Sequence, residues 1–316
     1  MDDIRDCIVV GGGAAGLSAA LVLGRARRST LVIDAGAPSN APAHGIGGLL
    51  GNDGRPPADF YAAGRRELAA YPSVALRAGE VVAGARAGDR ITLTLSDGDR
   101  VTARRVVLAT GMDYVPPTLP GVAERWGRTV FHCPFCHGWE VRDRPLAVLD
   151  RGASGVHRAL LLRMWSDDVT LLADGPAGLD DGEAASLRAA GVPVDERPVA
   201  GLEGPGATLT SVRMADGTAR PCGGLLVPVT LRQRSPLAAQ LGAVAAAPGF
   251  VATDAVAVDA MARTTAPGVF AAGDLTTQMP SVASAVAAGS LAAAMVVQAI
   301  VAEGLPATTA PAEGGP

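Results

Sequence analysis

Apolar residues in this chain fall into short runs, set apart by glycine-rich turns and by longer stretches with a helical period. The run DCIVV (6–10) ends in glycines, AAGLSAALVLGRA (14–26) reads as a helix, and TLVID (30–34) makes a second strand. Strand, glycine turn, helix and strand in that order open a doubly wound parallel sheet. A stretch rich in Gly, Pro and Asn from Ala35 to Pro57 reads as a loop, and a helix is predicted over 58–70. RITLTLSDGDRVTARRVVLATG then alternates as a hairpin turning at Asp97-Gly98 and running into a further core strand.

YVPPTLPG (114–121) is proline-rich and breaks the pattern as a linker would. After it the rhythm restarts: PLAVLD is a strand, SGVHRALLLRMW a helix and DVTLLAD a strand. VRMADGTARPCGGLLVPV resembles another hairpin and strand. The fold class is therefore α/β, with two doubly wound, Rossmann-like nucleotide-binding domains, the second inserted into the first. The expected boundaries are 1–115 with 243–316 for the split domain and 116–242 for the insert. The most apolar run, VASAVAAGSLAAAMVVQAIV (282–301), is interrupted by Ser284, Gly289, Ser290 and Gln298, so a buried helix is expected and not a membrane span. A tail from about Pro306 has the composition of a disordered segment.

Composition changes this picture little. The 316 residues can fill two cores, and Gly and Ala abound while aromatics are scarce, which suits close helix-on-sheet packing. Every basic residue is arginine, so Schiff-base chemistry on lysine is excluded. A net charge of −4 gives no reason to expect nucleic acid or an anionic membrane as partner. The start, MDDIRDCIVV, is acidic and runs straight into a strand, unlike a signal peptide, so a reducing cytosol is the expected compartment. There a C-x-x-C pair is catalytic or metal-binding more often than structural.

Gly11-Gly12-Gly13-Ala14-Ala15-Gly16 fits G-x-G-x-x-G directly after a strand and at the start of a helix. Such glycines permit the tight turn and let backbone N–H groups reach a pyrophosphate at the positive helix end. Asp34, closing the second strand, stands where a carboxylate would bind ribose hydroxyls. A dinucleotide site is the result. Residues 264–274, TTAPGVFAAGD, resemble the second fingerprint of the FAD-dependent pyridine nucleotide-disulfide oxidoreductases, and Ala109-Thr110-Gly111 is similar to their ATG motif. This resemblance implies FAD as cofactor, with Gly273 and Asp274 at its ribityl and pyrophosphate part and Val81 beside it. It also implies a helix starting near Pro280-Ser281-Val282 under the flavin.

The resemblance narrows to the thioredoxin reductase branch and covers nearly the whole chain. In that branch the inserted domain binds NADPH through its own glycine turn. Here the stretch reads Asp150-Arg151-Gly152-Ala153-Ser154-Gly155, with a carboxylate in place of the first glycine. The arginine cluster that would grip a 2′-phosphate is replaced by Ala173-Asp174-Gly175-Pro176. NADPH is accordingly expected not to be used.

FHCPFCHGWE (131–140) holds two of the four cysteines and two of the four histidines. Zinc would want four ligands, commonly from two separated pairs, and Cys133, Cys136, His132 and His137 are too close together for that. Cys7 and Cys222 lie in or beside core strands and read as small buried apolar residues. Thioredoxin reductases carry C-x-x-C at the place of Cys133-Pro134-Phe135-Cys136, followed by an acid that moves protons; here that position is His137. An imidazole can take a proton from a thiol and stabilise a neighbouring thiolate. His132 is either a second base or a structural hydrogen-bonder.

C-P-x-C-H-G-[WY]-E resembles the FAD-dependent dithiol oxidases that close the disulfides of gliotoxin, holomycin and romidepsin-type natural products, with the small bacterial holomycin type nearest. Asp34 to Gly45 is also similar to that group, and His44 either contacts the isoalloxazine or caps the loop. Leu231 to Leu237 resembles their exit from the inserted domain. The resemblance implies a cytoplasmic homodimer that takes a small-molecule dithiol and O2. Cys133 would face the substrate and Cys136 the flavin. Two rivals stand beside it: a disulfide reductase using NADPH or another donor, and a flavin-binding redox sensor.

Overall fold

Residues 4–304 are described by a computed structural model; the tail expected to be disordered lies outside the described residues. β1 (Arg5–Val10), α1 (Ala14–Arg25) and β2 (Thr30–Asp34) form as the apolar pattern predicts. Then come α2 (Pro57–Leu68), β3 (Val74–Ala78), β4 (Val81–Ala87), β5 (Arg90–Leu95), β6 (Arg100–Leu108) and β7 (Met112–Val115). The expected hairpin at Asp97-Gly98 joins β5 to β6, and β4 adds a third antiparallel strand. The sheet runs β3-β2-β1-β6-β5-β4. Its parallel strands β3, β2, β1 and β6 surround the point where the order reverses, and a crevice opens there beyond their carboxyl ends. Ile8, Val9 and Val32 have no exposed surface, as expected of strands covered on both faces.

The inserted unit comprises β8 (Val130–Phe131), α3 (Pro134–Val141), β9 (Leu146–Leu149), α4 (Gly152–Leu162), β10 (Val169–Leu172) and α5 (Asp181–Ala189), followed by β11 (Val194–Asp195). A small antiparallel sheet of β12 (Val199–Glu203), β13 (Ser211–Met214) and β14 (Ala219–Pro221) precedes β15 (Gly224–Leu226). The parallel order β11-β10-β9-β15-β8 repeats the design of the first domain around cores of its own.

The chain returns earlier than the boundary at 243. β16 (Thr230–Gln233) pairs antiparallel with β7, and Leu237 and Leu241, in and after α6 (Leu237–Gln240), join the core of Ile8 and Val106. Burial of these leucines against β4 draws the segment back, and the proline-rich linker gives no sign of it. β17 (Val269–Ala271) completes the first sheet on β6, and a 3-10 turn (Gly273–Thr276) leads to α7 (Val282–Gly304).

α7 corrects the expectation of a buried helix in part. It packs along α1 through Ala285, Gly289, Ala292, Ala293 and Val296, while Leu291 and Val301 face outward. Small residues let the helices approach so closely that a Cβ on Gly289 would strike the Ala15 carbonyl oxygen. The helix is long and apolar enough to cross a membrane, and here it covers the first sheet.

Candidate functional site

A cleft of about 640 Å³ opens at the carboxyl ends of β1 and β6 and extends to the inserted domain. Gly11 to Ala15 form its floor, with Asp34, Val81, Ala109, Thr110, Gly111, Gly273, Asp274 and Val282 around them. The turn leaves no room for side chains on three of its glycines. A Cβ on Gly11 would meet the Ala109 carbonyl, one on Gly12 the Asp34 carboxylate, and one on Gly16 the Gly11 carbonyl. Gly13 faces open space, and α1 begins there with no side chain capping its first N–H groups. Gly16 packs inside the turn and serves its shape. The cradle fits a pyrophosphate on a helix N-terminus, and the Asp34 carboxylate beside it would suit ribose hydroxyls. That carboxylate accepts from Gly12 N (3.2 Å) and Gly36 N (3.0 Å) and pairs with Arg65 (3.4 Å).

Several wall residues had no local signal in the sequence. Tyr114 donates its hydroxyl to the Asp274 carboxylate (2.9 Å) across 160 positions of chain. Burial pushes the Asp274 carboxyl above the usual carboxylate range and, with that carboxylate alongside, pushes the Tyr114 phenol far upward. The Tyr61 hydroxyl bonds Asn40 (2.9 Å), and Arg234 pairs with Asp113 (2.9 Å) while also bonding the Ala37 and Met112 carbonyls. Only the tertiary fold brings these residues together.

The far wall is the redox helix. Cys133 is extended at the N-cap of α3, and Pro134 occupies the first helical turn, where its fixed φ and missing N–H cost nothing. Cys133 and Cys136 thus share one face, their Cα atoms 5.4 Å apart, and are joined in a disulfide. Cys136 lines the cleft. The loop after β2 presses against it so closely that a Cβ on Gly47 would come 2.8 Å from the Cys136 carbonyl oxygen.

His137 lies flat against Phe131, ring centroids 5.7 Å apart, with Nε2 3.0 Å from the Gly127 carbonyl oxygen. Its Nδ1 is buried with no hydrogen-bond partner, and burial pulls its pKa down. His132 sits between Tyr114 (5.0 Å) and Trp126 (5.8 Å) on the cleft wall, where burial pushes its pKa down to about 4. Of the two roles expected of His44, contact with the isoalloxazine is the one the structure does not support. His44 is exposed, absent from the cleft wall, and meets Arg128 (Nε2 to the guanidinium, 3.2 Å), because the loop turns Gly45, Ile46 and Gly47 inward instead. Cys7 and Cys222 are buried and free, each thiol pushed up to about 12 by burial.

The sequence profile of the pyridine nucleotide-disulphide oxidoreductases matches residues 5–289. The chain belongs to that family. It is a flavin-dependent oxidoreductase of the thioredoxin reductase-like kind. Thioredoxin reductase tcpT of Claviceps purpurea is 32% identical over 301 residues, 91% of each chain. Thioredoxin reductase sirT of Leptosphaeria maculans is 32% identical over 302 residues, 90% of this chain and 91% of its own. Among solved structures, HlmI superposes with a TM-score of 0.89 at 38% identity, covering 96% of this chain and 95% of its own. An oxidoreductase from Agrobacterium tumefaciens gives 0.89 at 35% identity, over 95% of this chain and 99% of that one.

In this oxidoreductase the second glycine turn carries its own anion. The Asp150 carboxylate lies at the start of α4, accepting from Arg151 N (2.8 Å) and the Ser154 hydroxyl (2.8 Å) and pairing with Arg158. Arg151 reaches across to the Asp174 carbonyl (2.8 Å), and the Asp174 carboxylate accepts from Val199 N (2.7 Å). The basic side chains nearest the turn are therefore engaged by the protein itself.

Proposed function

We propose that this flavoprotein is a dithiol oxidase that closes an intramolecular disulfide in a small natural-product molecule of the holomycin or gliotoxin type, without using NADPH. The observation that carries the reading is Asp150, whose carboxylate takes up the N–H and cationic groups at the start of α4. A coenzyme pyrophosphate there would meet a like charge and would have to displace Arg158 and Ser154. The redox helix meanwhile places Cys136 on the wall of the flavin cleft.

His137 takes the proton of a substrate thiol, and the thiolate attacks Cys133, breaking the Cys133–Cys136 bond and releasing Cys136 as a thiolate. The substrate's second thiol displaces Cys133 from the mixed disulfide, so the cyclic disulfide leaves and the enzyme holds a dithiol. FAD, when bound, would supply the acceptor for that electron pair, with O2 as the final oxidant giving hydrogen peroxide. Asp34, the Gly11–Gly13 turn and Asp274 hold and orient this cofactor. His132, buried between aromatic rings and neutral, is read as a wall residue that excludes water. The reading takes the enzyme as a cytoplasmic homodimer, as the resemblance implies.

Oxygen uptake with a small dithiol, in the absence of NADPH and through many turnovers per flavin, is the test. Rapid bleaching of the flavin by NADPH would overturn the oxidase in favour of a reductase. A single reduction without turnover would leave a redox sensor.

A further inference from the structure

We infer that the Gly127 carbonyl fixes His137 as the Nε2–H tautomer, making Nδ1 the atom that accepts the thiol proton and Gly127 a positioning residue for it. The inference rests on the thiol-exchange reading above and adds the atom and its partner. A carbonyl only accepts, so the ring nitrogen 3.0 Å from it must carry the hydrogen. The other nitrogen, Nδ1, then carries the lone pair; it is buried and makes no hydrogen bond in the structure, while the Cys133 carbonyl favours the ring once it is protonated. A buried polar atom left unpaired is uncommon and calls for an account, a catalytic role among them.

The tautomer is held from two sides. The ring is stacked on Phe131 at 15° between planes, which sets its orientation. Gly127 sits in a turn at φ +73°, its N–H bonded to the Val130 carbonyl (2.9 Å). Arg125 anchors that turn from beneath through the carbonyls of Gly121 (2.9 Å), Gly204 and Thr208 (3.3 Å). Above it, a Cβ on Gly127 would come 3.1 Å from Pro42, and Arg128 bonds the Pro42 carbonyl (2.9 Å). The acceptor of the Nε2 proton is thus wedged between the inserted domain and the loop of the first.

Protonation produces an imidazolium facing groups of mixed effect. Glu140 on the same helix and the Gly127 and Cys133 carbonyls favour it, while His44 from the loop opposes it. His132, just after β8, is coupled electrostatically to His137, and burial keeps it neutral. In the exchange step the S–H bond breaks, the proton moves to Nδ1, the substrate sulfur bonds Cys133, and the pair of the old S–S bond leaves on Cys136. Imidazolium and thiolate then balance in charge.

The test uses the flavin-loaded enzyme labelled with 15N-histidine. The His137 signals are assigned by their loss in His137→Gln, or by elimination with the same change at His44, His132 and His157. In the oxidised enzyme at neutral pH, His137 should show a protonated Nε2 and a bare Nδ1. A protonated Nδ1 with a bare Nε2 would overturn the inference. His137→Gln keeps a donor for the Gly127 carbonyl but has no base. Its flavin reduction by dithiothreitol should fall at least about tenfold at neutral pH and recover as the thiols ionise at higher pH. A deficit independent of pH, or no deficit, would also overturn it. If dithiothreitol fails to reduce the flavin of the unaltered enzyme, the exchange reading falls, and the nitrogen shifts still judge the tautomer.

Discussion

The molecule contains two glycine turns of the same design, one open and one closed. At Gly11–Gly16 the acid that completes the site, Asp34, belongs to the next strand and stands back, bonded to Gly12 N. At Asp150–Gly155 the acid lies inside the turn and engages Arg158, Ser154 and Arg151 N. Both turns follow a parallel strand and open a helix packed on the sheet. Packed cores hold this architecture in both domains, so on the proposed reading the second could keep it without the coenzyme. What the second domain still offers to chemistry is the disulfide on α3.

The strongest way to test that division of labour is Cys136→Ser. The first turn should keep its flavin, seen as an unchanged yellow spectrum, while dithiol-driven oxygen uptake falls by about a thousandfold or more. Retained turnover would mean that the second domain gives nothing.

His132 reports on how well the two domains close around the cleft. Its pKa is held at about 4 in the folded protein against 6.5 in the unfolded chain. A depressed histidine pKa means that the unfolded state binds the extra proton. The contribution to stability is complete above pH 6.5 and is lost as pH falls towards 4, at most about 3 kcal/mol. Denaturant midpoints across that window should lose this slope in His132→Phe.

Transplanting the second turn's acid into the first, as Gly11→Asp, should weaken FAD by at least roughly 100-fold, about 2.7 kcal/mol. The side chain would collide with the Ala109 carbonyl and add a like charge beside the pyrophosphate. Flavin content after gel filtration measures it. The reverse exchange, Asp150→Gly, should raise NADPH affinity by only about tenfold in a fluorescence titration. Asp174 still offers no cation for a 2′-phosphate, so restoration to full affinity would sink the comparison.

Sequence patterns were informative wherever the chemistry is local. The strand–turn–helix at Cys7–Arg25, the hairpin at Asp97-Gly98 and the pairing of Cys133 with Cys136 depend on neighbours within a few positions, and each is visible as spacing. Tyr114 with Asp274, Arg234 with Ala37 and Arg128 with Pro42 join residues more than eighty positions apart. No periodicity encodes such contacts, since they follow from how two sheets and a loop settle together. His44 shows the same limit from the other side. A likeness in the loop offered the residue a place by the flavin or a cap on the loop, and the loop's own turns put its neighbours on the cleft wall in place of it.

β7 and β16 run side by side as a two-stranded ribbon, the two covalent passages between domains bonded from Met112–Gln233 to Val115–Thr230. Such a ribbon resists stretching, because lengthening it must break several hydrogen bonds together, but it twists at little cost. Its hydrogen bonds fix how far apart the two passages run, and Arg128, bonded to the Pro42 carbonyl, with Gly47 packed on the Cys136 backbone, ties the disulfide helix to the loop over the cleft.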